Sequence, residues 1–206
     1  MVLSKTLSAF GIGLALLFSG ASTTLAETPL GRFMPVLGEA TAPAGHLEFC
    51  TLWPQECVGT HTLPVVVKLD GPRWQELLDI NKTINTTIKP LPDEDQFGVS
   101  EFWTYPTAGY GDCEEYVLEK RRLLIEAGWP KSALLITVVK DTNNQGHAVL
   151  SVRTNQGDLI LDNQMNAILP WYSTPYRFIK RQSSRDPAKW AAISDRRVTT
   201  VASIKN

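Results

Sequence analysis

Helix-like and strand-like patterning occupy separate stretches of this chain, and that segregation limits the folds open to it more than any other feature. Between Pro72 and about Ile88, the spacing of Trp74, Leu77, Leu78, Asn81 and Ile84 or Asn85 falls on one helical face. Pro90 and Pro92 end it. A second helix is expected from about Cys113 to Gly128, with Val117, Leu124 and Ala127 as its buried stripe and Pro130 beyond. Strands follow: the β-branched run Leu134 to Lys140, then His147 to Arg153 and Leu159 to Asp162. The last two are joined through Asn155-Gln156-Gly157-Asp158, good turn chemistry. Helices first and strands afterwards argue for an α+β fold with an antiparallel sheet, not a doubly wound one.

The remaining segments are less periodic. Residues 27–60, rich in Pro, Gly and Thr, read as an extended lead-in. Asp93 to Tyr110 reads as a loop packed by Phe97, Phe102, Trp103 and Tyr105. The tail from Arg177 is basic, with a short helix expected around Asp186 to Ile193.

Residues 1–26 read as a secretory signal peptide. Lys5 precedes the uncharged run Ala9 to Phe18, and Thr24-Leu25-Ala26 suits signal peptidase. The run is about half the length of a membrane-spanning helix. A mature chain starting at Glu27 is expected to form one domain, 27–206, in the periplasm or outside the cell. A net charge of −1 and six Trp describe an ordinary globular protein and argue against a nucleic-acid partner.

Export makes the three cysteines informative. In an oxidising compartment an odd number leaves one thiol unpaired or shared between chains. Cys50 and Cys57 flank a short segment containing Pro54, and a local disulfide between them is expected. Cys113 is then the odd thiol. It follows Gly111-Asp112, where Gly111 permits a tight turn, and sits at a helix start. Unpaired N–H groups there favour a thiolate and can hold an oxyanion.

A nucleophile needs a base, and the base needs a partner. Of the three histidines, His147 opens an apolar strand, whereas His46 and His61 lie in the loop-rich N-terminal region. Asp162 ends the next strand, so a hairpin brings it to the same end as His147. The expected triad is Cys113, His147 and Asp162, with Asp162 fixing the imidazole tautomer. Each residue taken singly has an ordinary structural explanation; order and placement together carry the reading. Trp103 is a secondary candidate for an oxyanion donor, with core packing the stronger role. Arg177, Lys180, Arg181 and Arg185 form a basic cluster that reads first as a solvated face.

The order Cys, His, Asp on a helix and then strands is that of papain-like and transglutaminase-like enzymes. Gly111-Asp112-Cys113-Glu114-Glu115, Gly146-His147-Ala148-Val149-Leu150 and Leu161-Asp162-Asn163 resemble the bacterial transglutaminase-like cysteine peptidases, which include the LapG-type periplasmic proteases. The resemblance runs from roughly Trp74 to Arg181. It implies peptide-bond hydrolysis through a thioester on Cys113, with a protein substrate such as a cell-surface adhesin, and it leaves room for an inner-membrane regulator. It also implies calcium dependence, which maps a metal site onto Asp112 and Glu114; oxygen ligands suit calcium. Two positions depart from the family pattern: Glu115 replaces an Asp, and Gln164 replaces a Leu. Acyl transfer to an amine, as in a transglutaminase or amidase, uses the same triad, and a non-catalytic periplasmic binding module is the alternative from another class.

Overall fold

The structure, a computed structural model, describes residues 31–59, 63–106 and 108–197; the expected signal peptide and His61 lie outside them. In chain order the elements are β1 (Val36–Ala40), α1 (Ala44–Leu52), α2 (Gly71–Thr87), β2 (Lys89–Pro90), α3 (Asp93–Phe97), β3 (Tyr110–Gly111), α4 (Cys113–Glu126), β4 (Leu134–Lys140), β5 (Gly146–Thr154), β6 (Gly157–Leu161), β7 (Leu169–Pro170), β8 (Arg177–Gln182) and β9 (Trp190–Ile193). A seven-stranded sheet runs β1-β9-β8-β4-β5-β6-β7. Its neighbouring strands are all antiparallel. The α+β expectation holds.

Asp70 starts α2 by accepting from the Arg73 N–H at 3.0 Å, and Pro72 occupies the first turn, where its missing N–H costs nothing. From α2, Leu77 joins a core that contains Val117, Leu118 and Leu124 of α4 and Ala148, Leu150 and Val152 of β5. A second apolar cluster gathers Val139, Val149, Ile160 and Phe178 with Met34, Trp171 and Tyr176. Successive residues of β5 therefore serve different clusters, as a strand of period two buried on both faces must. Burying each Leu, Val, Ile, Met or Phe among them stabilises the fold by about 1.5–3 kcal/mol, so α4 is firmly seated and its first residue is held in place.

The β5–β6 hairpin turns on Asn155 and Gln156. Gly157 has φ +118°, and a Cβ there would meet the Arg32 carbonyl oxygen at 2.4 Å, so glycine is required. Leu150 pairs with Leu161, which sets Asp162 opposite Val149, two residues from His147 on the same side of the sheet. Asn85 of α2 steadies this end by donating from Nδ2 to the Asp162 carbonyl and to Asn166 Oδ1, both at 2.8 Å. The expected disulfide is present: Cys50 and Cys57 are joined, with their Cα atoms 5.5 Å apart.

Three segments differ from expectation. The lead-in contains β1 and α1, the aromatic loop contains α3, and the tail forms β8 and β9 where a helix was expected at Asp186 to Ile193. Trp190 pairs with both Gln182 and Ala40, and is buried; distant partners, not local propensity, decide this strand. The basic cluster also divides. Arg181 is buried against Asp158 at 3.0 Å, while Lys180 reaches the Thr41 carbonyl at 2.8 Å.

Lys120 of α4 is fully buried, and its Nζ has no hydrogen-bond partner among the described residues. Burial lowers its pKa to about 7, against the pull of the Asp162 carboxylate. Since this lies below the ordinary lysine value, the unfolded chain binds more protons between the two, and stability should rise from about pH 7 to about pH 10. Lys120→Met keeps the bulk and removes the amine. It is expected to stabilise the fold at pH 7 by about 1–2 kcal/mol and to flatten that rise. Urea midpoints at pH 6, 7, 8 and 10 check this; a lower midpoint for the variant at pH 7 would contradict it.

Candidate active site

Asp112 precedes α4 in extended conformation and caps it, and Glu115 completes the capping box by accepting from the Asp112 N–H at 2.9 Å. Gly111 owes its place to this arrangement: a Cβ there would lie 2.5 Å from Glu115 Cβ. Its backbone φ is not positive, so close approach explains it where a tight turn was expected. Cys113 is the first residue of the helix and the free cysteine among the described residues. Its Sγ accepts from the Ala148 N–H at 3.4 Å, which sets the thiol against β5 one residue past His147.

His147 and Asp162 meet directly: Nε2 lies 2.9 Å from Asp162 Oδ1, with both side chains buried. Asp162 Oδ1 also accepts from the Gln164 N–H at 3.1 Å. Its second oxygen accepts from the Tyr176 hydroxyl. Burial works against the Asp162 charge, but the His147 and Tyr176 hydrogen bonds hold its pKa below the usual carboxylate range. Using Nε2 for the aspartate leaves Nδ1 as the ring nitrogen for exchange with a thiol.

Cys113 differs from expectation in one respect. A helix N-terminus favours a thiolate, yet burial pushes the Cys113 thiol well above its ordinary pKa, and the Glu114 carboxylate pushes it further. Sγ donates to Glu114 Oε2 at 2.9 Å. Burial of the thiol outweighs the helix's partial charge, and burial also raises the Glu114 carboxyl well above the usual carboxylate range.

Around this pair the carboxylates are crowded. Ligating atoms of Asp112, Cys113 and Glu114 lie within 4.8 Å of one another, as do those of Asp93, Asp112 and Glu115. Asp93 accepts from the Phe102 N–H, and Glu115 Oε1 accepts from the Thr104 N–H at 3.1 Å. Burial and the neighbouring acids push Asp93 up to about 6 and Glu115 up to about 8. Asp93 Oδ1 and Asp112 Oδ1 are buried without a hydrogen-bond partner. Hard oxygen donors, some of them unpartnered, with carboxylates that resist ionising beside each other, fit a calcium ion. Asp112 and Glu114 thus lie together beside Cys113, and Asp112 is also shared with a neighbouring group formed with Asp93 and Glu115.

Three residues here were missed in the sequence. Glu115 stands three places after Asp112, a legible capping-box spacing. Asp93 follows Pro92, a helix-start pattern. Tyr176 lies on no periodic segment, and nothing local marks it. Trp103 packs in the core with His46 and Trp190, and its indole N–H donates to Glu101 Oε2 at 3.2 Å, in keeping with the packing role. His46 is buried among these aromatics, and burial, aided by Arg121, lowers its pKa to about 4.

A free cysteine heading a helix on an antiparallel sheet, beside a buried His–Asp pair, defines a papain- or transglutaminase-type cysteine peptidase. The profile of the bacterial transglutaminase-like cysteine proteinases matches residues 36–198, and the chain belongs to that family. Its fold is similar to that of calcium-bound Legionella pneumophila LapG, at 24% identity and a TM-score of 0.51, over 61% of this chain and 74% of that one. EGTA-treated Legionella pneumophila LapG is 28% identical over 60% of this chain and 72% of that one, with a TM-score of 0.50. No curated relative matches the sequence.

Proposed function

We propose that this chain is an exported peptidase in which Cys113 is the nucleophile, His147 the general base and acid, and Asp162 the residue that orients the imidazole. The observation that carries the reading is the buried 2.9 Å contact between His147 Nε2 and Asp162, beside the only cysteine among the described residues left outside a disulfide. His147 Nδ1 takes the thiol proton as sulfur adds to the scissile carbonyl carbon. The imidazolium then protonates the departing amine, leaving a thioester on Cys113. Water, losing a proton to His147, adds to the thioester, and its collapse releases the carboxylic acid and the thiol. The Cys113 N–H, at the helix start, is the backbone donor that would meet the developing oxyanion.

Calcium belongs to the same proposal. Asp112 and Glu114, with Asp93 and Glu115, would hold it, and it would supply positive charge to a carboxylate cluster that otherwise opposes ionisation of the thiol. Glu114 Oε2 now accepts from that thiol. While it does so, Cys113 is tied to the carboxylate and not to the imidazole, an arrangement that suits a resting state.

The place of action follows from residues 1–26, read as a cleaved signal: a periplasmic domain, 27–206, acting on a cell-surface protein. Among the described residues no helix is long and apolar enough to cross a membrane. The test is to add the full mature chain, with calcium, to a cell-envelope extract and identify new protein N-termini by mass spectrometry. Termini produced by wild type and absent with Cys113→Ala are expected. Identical sets would count against a peptidase, and amine incorporation without new termini would favour acyl transfer.

A further inference from the structure

Asp162 is braced through the oxygen that His147 does not engage, by residues that the catalytic steps do not use. The Tyr176 hydroxyl donates to Asp162 Oδ2, and its ring stands edge-on to the His147 ring at 5.5 Å between centroids. Tyr176 is buried, and burial together with the Asp162 charge raises its pKa above the ordinary phenol value, so it stays a donor. Its backbone is tied down in turn. Arg197 Nη1 donates to the carbonyls of Trp171 at 2.9 Å and Thr174 at 3.2 Å, and Nη2 donates to that of Tyr176 at 2.5 Å. The guanidinium lies 4.7 Å from the Trp171 ring centroid and 5.3 Å from that of Phe178. Asp195, itself bound by the Phe178 N–H at 3.0 Å, pairs with Arg197 at 2.7 Å.

We infer that Tyr176 is a positioning residue for the triad, acting through Asp162, and that Arg197 holds it there by bridging three carbonyls of the 171–176 segment. The inference rests on the triad reading above. A carboxylate bound by imidazole alone can rotate about its Cα–Cβ and Cβ–Cγ bonds. A second donor on its other oxygen removes that freedom and shares its charge, so that the pull on an imidazolium is graded. Arginine suits the outer position because its planar fork serves several acceptors at once, which a lysine ammonium on a single stem does not. The other ionisable groups facing this assembly are Cys113 and Glu114 at the start of α4, Lys120 deeper in α4, and Asp141 beyond Tyr176.

The test is an NMR titration of the His147 imidazole in full-length Cys113→Ala protein with chelator present, so that neither thiol nor metal contributes. His147→Gln assigns the signal. Tyr176→Phe removes the donor and should leave more of the Asp162 charge for the ring, raising the imidazole pKa by about half a unit or more. Arg197→Lys, which keeps a charge against Asp195, should move it in the same direction. With Cys113 restored, Tyr176→Phe should lower kcat about tenfold with KM within twofold. Asp162→Asn is the control, expected to lower the imidazole pKa by more than a unit. An unchanged pKa in Asp162→Asn would overturn the triad reading itself. A shift in Asp162→Asn with none in Tyr176→Phe would overturn the brace alone, as would a kcat loss in Tyr176→Phe without any pKa change.

Discussion

Asp162→Asn is expected to leave the protein folded and to lower kcat by about 10³–10⁴, measured on a peptide spanning a cleavage site found in the envelope extract. The amide keeps the shape of the carboxylate, but it cannot hold the imidazole in one tautomer or balance an imidazolium. The contact it alters lies within the sheet, at the end of β6, and the hairpin register that brings Asp162 to His147 is independent of its charge. Circular dichroism and melting should therefore resemble the wild type. His147→Ala and Cys113→Ala should be at least as inactive, and combining either with Asp162→Asn should cost little more, because the three act as one unit. Full activity in Asp162→Asn would move the third role elsewhere, with Asn163 next to test.

Removing calcium is expected to be as severe. A chelator should abolish cleavage, added calcium should restore it, and Asp112→Ala should be inactive at any calcium concentration. Melting separates this from the triad. At about one hundred times its dissociation constant, a ligand that binds only the folded chain stabilises it by about 2.7 kcal/mol, or roughly 5–10 °C for a chain of this size. Wild type and Asp162→Asn should both show that rise, and Asp112→Ala should lose it. The crowding of Asp93, Asp112 and Glu115 gives the physical reason: burial and the neighbouring acids push Asp93 and Glu115 up, and a cation held among them would relieve that repulsion. Full activity of the chelated wild type would remove the metal from the account and leave the triad standing.

What could be read in the sequence was whatever is encoded within a few residues. The start of α4 at Cys113, the run of β4 and the β5–β6 turn each carry a local pattern, and so does the pairing that brings His147 and Asp162 together. The strands β1, β8 and β9 do not. Val36 pairs with Ile193 across most of the chain, and Trp190 becomes a strand residue only because β1 and β8 flank it. The same division runs through the site. Asp112, Cys113 and Glu114 are neighbours in sequence, whereas Asp93 and Tyr176 arrive from separate elements. The ionisation of Cys113 was misjudged for a related reason. Helix position is visible in a sequence; burial and the direction in which Glu114 points are not, and here they outweigh it.

The central claim is that Cys113 and His147 work as a nucleophile–base pair once Glu114 no longer engages the thiol. Alkylation by iodoacetamide at pH 6–7, located by mass spectrometry, tests it most directly, because Cys50 and Cys57 are closed in a disulfide and Cys113 is the remaining thiol. In calcium, wild-type Cys113 should be modified at least about tenfold faster than in His147→Ala, since the imidazole stabilises the thiolate. Chelator should slow the wild type toward the rate of the variant. Equal rates in wild type and His147→Ala, with calcium present, would contradict the pairing on which the account stands.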